Sequence, residues 1–209
     1  CKPCKGYKGW LNLDEFVESR VVPGPPGPQG PIGPQGPTGP AGGLFSQTVS
    51  STPVTNTIVE TSLISTGVGS LSVPANGFSV GDSFKATIIG HLSCNSSATI
   101  TIKIKSGSVI LADTGVIALS ASTNKHYKLD IHFTIRTIGA ATVASIVSGG
   151  SFSFIKNAST NFEGTDFSVI NNTTFDTTIL NTLNVTVQWG AANAANTIYS
   201  ELFTLTKTY

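Results

Sequence analysis

The side chains of this 209-residue chain that could do acid–base, redox or metal chemistry are three histidines, three cysteines and eleven carboxylates. His132 stands two positions from Asp130 in a stretch that alternates apolar and polar residues, so both belong to one polar face. Such a pair could serve metal ligation or proton transfer, and a solvated strand face is the simpler reading. Cys1 and Cys4 form a C-x-x-C pair. Zinc needs about four ligands, of which one pair supplies two per chain, and a thioredoxin-like site needs a βαβ context that this sequence lacks. Disulfides between chains and inert reduced thiols are the other readings of the pair. Cys94 stands alone and reads as a small buried hydrophobe. The eight carboxylates beyond residue 43 are dispersed, with no acidic cluster of the kind a calcium loop requires. No P-loop, H-E-x-x-H, G-x-S-x-G or dinucleotide fingerprint occurs, so the expectation is a protein that is not an enzyme and uses no cofactor. N-x-S/T triplets begin at Asn95, Asn157, Asn171, Asn172 and Asn184, and a Thr/Asn-rich sequence produces such triplets by composition.

The stretch that organises the chain is a glycine period. Gly24, Gly27, Gly30, Gly33, Gly36, Gly39 and Gly42 recur at every third position, and each of the first six is followed by proline. Three polyproline-II chains wound together leave room only for glycine at their axis, and proline pre-sets the extended φ that each chain needs. Residues 23–43 are therefore expected to form a collagen-like triple helix, which demands a homotrimer. At about 3 Å per residue the rod is roughly 55–60 Å long. It has no charged residue and only one Y-position proline, Pro26, so its flanks must help to hold three chains together.

Residues 1–22 hold seven of the 23 charged residues. Asn12 to Arg20 reads as a short helix with Asn12 as cap and acidic Asp14 and Glu15 in its first turn. Trp10 and Phe16 lie on its apolar side with Leu13 and Val17. This segment is expected to clamp the rod, with Cys1 and Cys4 as candidate interchain disulfides, or to anchor the chain in neighbouring structural subunits through Trp10 and Phe16.

Residues 44–209 change to a period of two. Ile100, Ile102 and Ile104, then Tyr127 to Ile135, then Leu183 to Trp189 alternate with polar neighbours, as half-buried strands do. Further strands are expected near 57–64, 83–90, 108–118, 143–155 and 197–206. Breakers such as Pro74-Ala75-Asn76-Gly77 and Gly149-Gly150 separate them. Eight to ten strands with no helix predict an all-β antiparallel sandwich of jelly-roll type. The stretch from Ile198 to Leu205 is apolar on what reads as both faces. That predicts a strand against the threefold axis, with Tyr199, Phe203 and Leu205 at the trimer interface.

A net charge of +1 argues against a nucleic-acid partner, and no apolar run is long enough to span a membrane. A collagen stalk before an all-β head resembles the TNF-like and complement-type trimeric heads and the collagen-like glycoproteins of spore surfaces. The stretches Leu71–Asn76, Val80–Phe84, His132–Arg136, Asn181–Trp189 and Leu205–Tyr209 resemble structural proteins of giant DNA viruses and phages more closely. The resemblance implies a fibre or spike on a virion surface, with the head binding a host receptor or glycan. Two alternatives stand beside it: a filament or layer assembled end to end on a cell or spore surface, and a secreted TNF- or complement-type ligand.

Overall fold

The computed structural model describes residues 24, 26–27, 43–157 and 162–209. Gly24 and Gly27 are outside helix and strand, while Gly30, Gly33, Gly36, Gly39 and Gly42 lie outside the described residues, as do Cys1, Cys4, Trp10 and Phe16. The described strands belong to one compact unit, Pro40–Tyr209.

That unit is an antiparallel sandwich of two sheets. Eight long or medium strands build it: β6 (Ser83–Cys94), β7 (Thr99–Ser106), β8 (Val109–Asp113), β10 (Ser122–Thr137), β11 (Ser145–Ile155), β12 (Phe162–Asn171), β13 (Asn181–Trp189) and β14 (Thr197–Lys207). Shorter pieces complete the sheets: β1 (Gly43–Gln47), β2 (Val54–Thr55), β3 (Thr61–Ser62), β4 (Gly67–Gly69), β5 (Ser72–Val73) and β9 (Ile117–Ala118). The larger sheet runs β12-β11-β10-β6-β14-β1-β4, with β2 added on β14. The smaller runs β3-β13-β7-β8, with β5 on β13 and β9 on β7.

The period-two patterns place the core. Ile100, Ile102 and Ile104 of β7 and Val185, Val187 and Trp189 of β13 face Ala86, Ile88 and Leu92 of β6 and the Tyr127–Ile135 series of β10, all buried. Burying each large side chain of this kind stabilises the fold by roughly 1.5–3 kcal/mol. Trp189 also satisfies its indole, which donates to the Val54 carbonyl at 3.0 Å.

Three expectations need correction. The 57–64 stretch pairs only at β3, and 108–118 splits into β8 and β9 around Gly115, whose φ of +64° breaks the strand. Strand β12 has no clean alternation in sequence, because its more buried phase holds Glu163 and Thr165 beside Phe167 and Val169, while Phe162 and Ile170 stand on the exposed phase. It is an edge strand, where charge and polarity guard against pairing with other chains. The largest correction concerns β14. Its ladder with β6 slips by one residue between Ser200 and Leu202. This bulge at Glu201 reverses the alternation, so Ile198, Ser200, Phe203 and Leu205 all point inward and are buried. The strand buries one face only, and the other carries Tyr199 and Leu202 among threonines. Phe203 has no exposed surface and Leu205 is buried, so both belong to the core of a single chain rather than to a contact between chains. Tyr199 alone of the three points outward and is half-buried.

Candidate functional site

The two sheets present outer faces of different chemistry. On the smaller sheet, Lys103 and Lys105 of β7 and Thr186 and Gln188 of β13 share the outward side, because each is offset by two from its neighbour. The loop before β3 lays Glu60 over them. Its carboxylate accepts from Lys103 Nζ and Lys105 Nζ, both at 2.7 Å, and from Thr186 Oγ1 at 2.9 Å. The Lys103 and Lys105 hydrogen bonds hold the carboxyl down to about 2 against the pull of partial burial. Gln188 is fixed at both ends: its Nε2 donates to the Ile58 carbonyl at 3.1 Å, and its Oε1 accepts from Lys103 at 3.5 Å. Ser62 donates to Asn184 Oδ1 at 2.7 Å beside them.

Next to Gln188 the same face opens into a groove of about 310 Å³. Its walls include the hydroxyls of Thr99 and Thr101, the Gln188 amide, and the apolar side chains of Ile58 and Val116. Hydroxyls and a planar amide can bind a polyhydroxylated ligand, and the two aliphatic side chains can meet the C–H face of a sugar ring. One carboxylate against two ammonium groups leaves the neighbouring Glu60 network with a local charge of +1. No single residue of this set stands out in the sequence. Its signal is the threonine, lysine and glutamine on the polar phase of two strands, plus a glutamate that only the fold brings near.

On the larger sheet, the outward side carries a row of rings. Tyr199, His91 and His126 are register partners on β14, β6 and β10. The His91 ring lies 4.2 Å from His126 and 5.6 Å from Tyr199, centroid to centroid. Glu201 Oε1 approaches His91 Nδ1 to 3.3 Å, out of line for a hydrogen bond. Below this row lie Leu202, Ile89 and Lys128, again in register. The next row is polar. Burial raises the Asp130 carboxyl, but the hydrogen bonds from Lys128 and Thr87 and the charges of Lys128 and Lys85 outweigh it and leave it lowered. Asp130 is thus held by Lys128 at 2.6 Å and Thr87 at 2.8 Å, while His132 is exposed.

Cys94 is buried and its thiol donates to the Ser120 carbonyl at 3.3 Å; burial pushes that thiol up. Among the described residues no three His, Cys, Asp or Glu side chains gather in a group that could hold a metal ion. No helix among the described residues is long and apolar enough to cross a membrane.

Fold and face together define an all-β, two-sheet antiparallel sandwich with one polar grooved surface. No described protein family matches the sequence, and no curated protein matches it. Among solved structures, the chain is similar to the lectin UEA-II complexed with galactose, at a TM-score of 0.36 and 8% identity over 80% of this chain and 91% of that one. It is also similar to the CBM2 module of the evolved Dit of Lactobacillus casei BL23 phage J-1, at a TM-score of 0.31 and 9% identity over 66% of this chain and 68% of that one.

Proposed function

We propose that this chain is the subunit of a homotrimeric surface fibre whose rod is the Gly-X-Y stretch and whose sandwich is a projecting, glycan-binding head. The N-terminal segment anchors the fibre in neighbouring structural subunits, on a virion or on another extracellular surface. The unbroken glycine period supports the rod and its three chains. Strands that cross repeatedly between the sheets, with β6, β14 and β1 adjacent in one and β7 and β13 in the other, support a jelly-roll variant for the head.

The observation that carries ligand binding is the groove beside Gln188, whose side-chain amide is fixed at both ends before any ligand arrives. Preorganised groups lose little entropy on binding, and three copies on one stalk raise a weak single-site affinity through avidity. The test is the full chain on a glycan array, with the hits measured again by calorimetry. Gln188→Ala is expected to weaken the best hit about tenfold, the order of magnitude of one lost, well-placed hydrogen bond to a bound hydroxyl. An array without hits, or an affinity that Gln188→Ala leaves unchanged, sinks the groove as the site. Electron micrographs that show continuous periodic threads in place of stalks with knobs would favour the end-to-end filament.

A further inference from the structure

We propose that the sandwich holds a second binding site, an apolar pocket at the end away from the Gln188 groove, and that its ligand is a small neutral molecule with an aromatic body and one hydroxyl. The proposal stands apart from the glycan-binding and trimeric readings above.

The two sites sit at opposite ends of one strand pair. In the ladder of β13 with β7, Leu183 opposite Ser106 borders the pocket, and Trp189 opposite Ile100 lies at the groove end. Positions 183 and 189 are about 20 Å apart along an extended strand. At the Leu183 end a cavity of about 250 Å³ runs in between the sheets. Phe84, Phe133 and Leu205 line it from the larger sheet, Leu111 and Leu183 from the smaller, and Phe175 from the loop before β13. All of these except Leu183 are buried. The mouth exposes Ser70, Ser72, Gly77 and Lys207. An engineered apolar cavity of about 150 Å³ binds benzene, so this one has room for roughly two fused rings.

The lining selects the ligand's body. Phe78, also in the wall, stands edge-on to Phe84 at 6.0 Å and 83°, and tilted to Phe175 at 5.9 Å. Edges and faces held in this way offer a further ring its preferred contacts. The polar side chains deep in the wall are spent on the protein itself. Ser106 Oγ donates to Asn181 Oδ1 at 2.8 Å, and Asn181 Nδ2 donates to the Asp176 and Ile179 carbonyls at 2.8 and 3.0 Å. A cavity water needs roughly two to four polar partners, so water is held weakly here and an apolar ring displaces it at little cost.

The mouth selects the ligand's head. Lys207 Nζ lies 2.7 Å from Asp82 Oδ1, and the Ser79 N–H donates to Asp82 Oδ2 at 2.9 Å. An ammonium has three donors and a carboxylate about four acceptor sites, so both groups keep capacity for a further partner. Their charges cancel, and a charged head would meet like charge beside unlike. Asp82 is only 7% exposed, so a head that drew Lys207 away would leave a buried carboxylate without its counter-ion. A hydroxyl accepts from Lys207 and donates to Asp82 while the pair stays intact.

The test uses the full chain with naphthol and, as the charged comparison, naphthoate. Calorimetry is expected to give naphthol a dissociation constant on the order of 100 μM and naphthoate an affinity about tenfold weaker. With leucine and isoleucine methyls labelled in the native chain, nuclear Overhauser effects are expected from the naphthol ring to Leu111, Ile146 and Leu205. Leu183→Trp fills the pocket from its partly exposed wall and is expected to weaken naphthol at least about tenfold. The methyl contacts are read on the native chain and decide the site even where that variant does not fold. Absence of binding, contacts confined to Ile58 in the groove, or a folded Leu183→Trp chain of unchanged affinity overturns the pocket as the site. Naphthoate that binds as tightly as naphthol overturns the neutral hydroxyl head and with it the ligand class.

Discussion

The outer faces of the two sheets are built from the same strand geometry and differ in how they satisfy themselves. On the smaller sheet, Glu60 draws Lys103, Lys105 and Thr186 into a closed network, and Gln188 is tied at both ends. On the larger sheet, the row Tyr199–His91–His126 is held by ring contact, and Leu202 and Ile89 offer aliphatic surface with no partner of their own kind beyond each other. A face whose polar groups are fixed yet reachable suits a hydrated ligand that comes and goes. A face of rings and aliphatic groups gains most from permanent cover.

The sharpest way to break this contrast is to change two adjacent residues of β14. Phe203 is fully buried and Leu202 is outward, although both are large and apolar. Phe203→Asp places an unpaired carboxylate in the core and is expected to cost roughly 4 kcal/mol or more, which unfolds the head. Leu202→Asp, on the outward side, is expected to change the folding of the head by less than about 1 kcal/mol. Circular dichroism on melting reads both effects. If Leu202→Asp unfolded the head, or if Phe203→Asp left it folded, the bulge at Glu201 would be misplaced and so would the inward and outward assignments that depend on it.

The next largest effect tests the bulge from the other side. Gly90 of β6 lies opposite Ser200, where the register slips. A Cβ at Gly90 would run into the Tyr199 carbonyl and come within 2.8 Å of the Ser200 Cα and 2.9 Å of the Tyr127 ring. The bulged backbone and the buried Tyr127 ring thus require a residue without a side chain. Gly90→Ala is expected to lower stability by roughly 3 kcal/mol, measured by urea unfolding of the full chain. Gly107→Ala, at a turn where a Cβ meets no atom within 4 Å, carries only the strain of a φ of +57° and is expected to cost about 1 kcal/mol. Equal losses at the two positions would remove the steric account of Gly90.

These residues also mark where the sequence was legible. The alternation in β7 and β10 named the core residues by number, because one face of each strand meets water, and in β13 it named Val185, Val187 and Trp189 although Glu60 covers Thr186 on the outer face. In β14 the same rule misled. A single inserted residue changes the phase, and nothing in the letters of Ser200-Glu201-Leu202 distinguishes a bulge from a strand that is apolar on both sides. The groove beside Gln188 was invisible for a different reason. Glu60 and Lys103 are 43 positions apart, and Gln188 is 130 from Ile58, so their meeting is a property of strand order that periodicity does not encode. The Asp130–His132 pair shows the converse. Neighbours on one strand face offered metal or proton chemistry with a solvated face as the simpler reading, and in the fold Asp130 is engaged by Lys128 and Thr87 while His132 is exposed.

The smallest expected effect concerns the polar network itself and its response to acid. Lys103 and Lys105 hold the Glu60 carboxyl at about 2, below its ordinary 4.5. A carboxylate whose folded value is depressed contributes stability that is complete above the unfolded value and is lost as pH falls toward the folded one. The contribution of Glu60 is therefore whole at neutral pH and disappears between about pH 4.5 and pH 2. The shift alone would set a ceiling near 3 kcal/mol, but a quarter of the side chain is exposed and water screens it, so about 1–2 kcal/mol is expected. Glu60→Gln should cost this amount at pH 7 and leave two lysines facing each other without a counter-charge. The stability gap between the native chain and the variant should then close as pH falls from 4.5 to 2.5, followed by urea melts at each pH. The other carboxylates are common to both proteins and cancel in the difference. A gap that stays constant with pH would mean that Glu60 acts by shape rather than by charge. The smaller sheet would then lose the feature that most separates its face from that of the larger sheet.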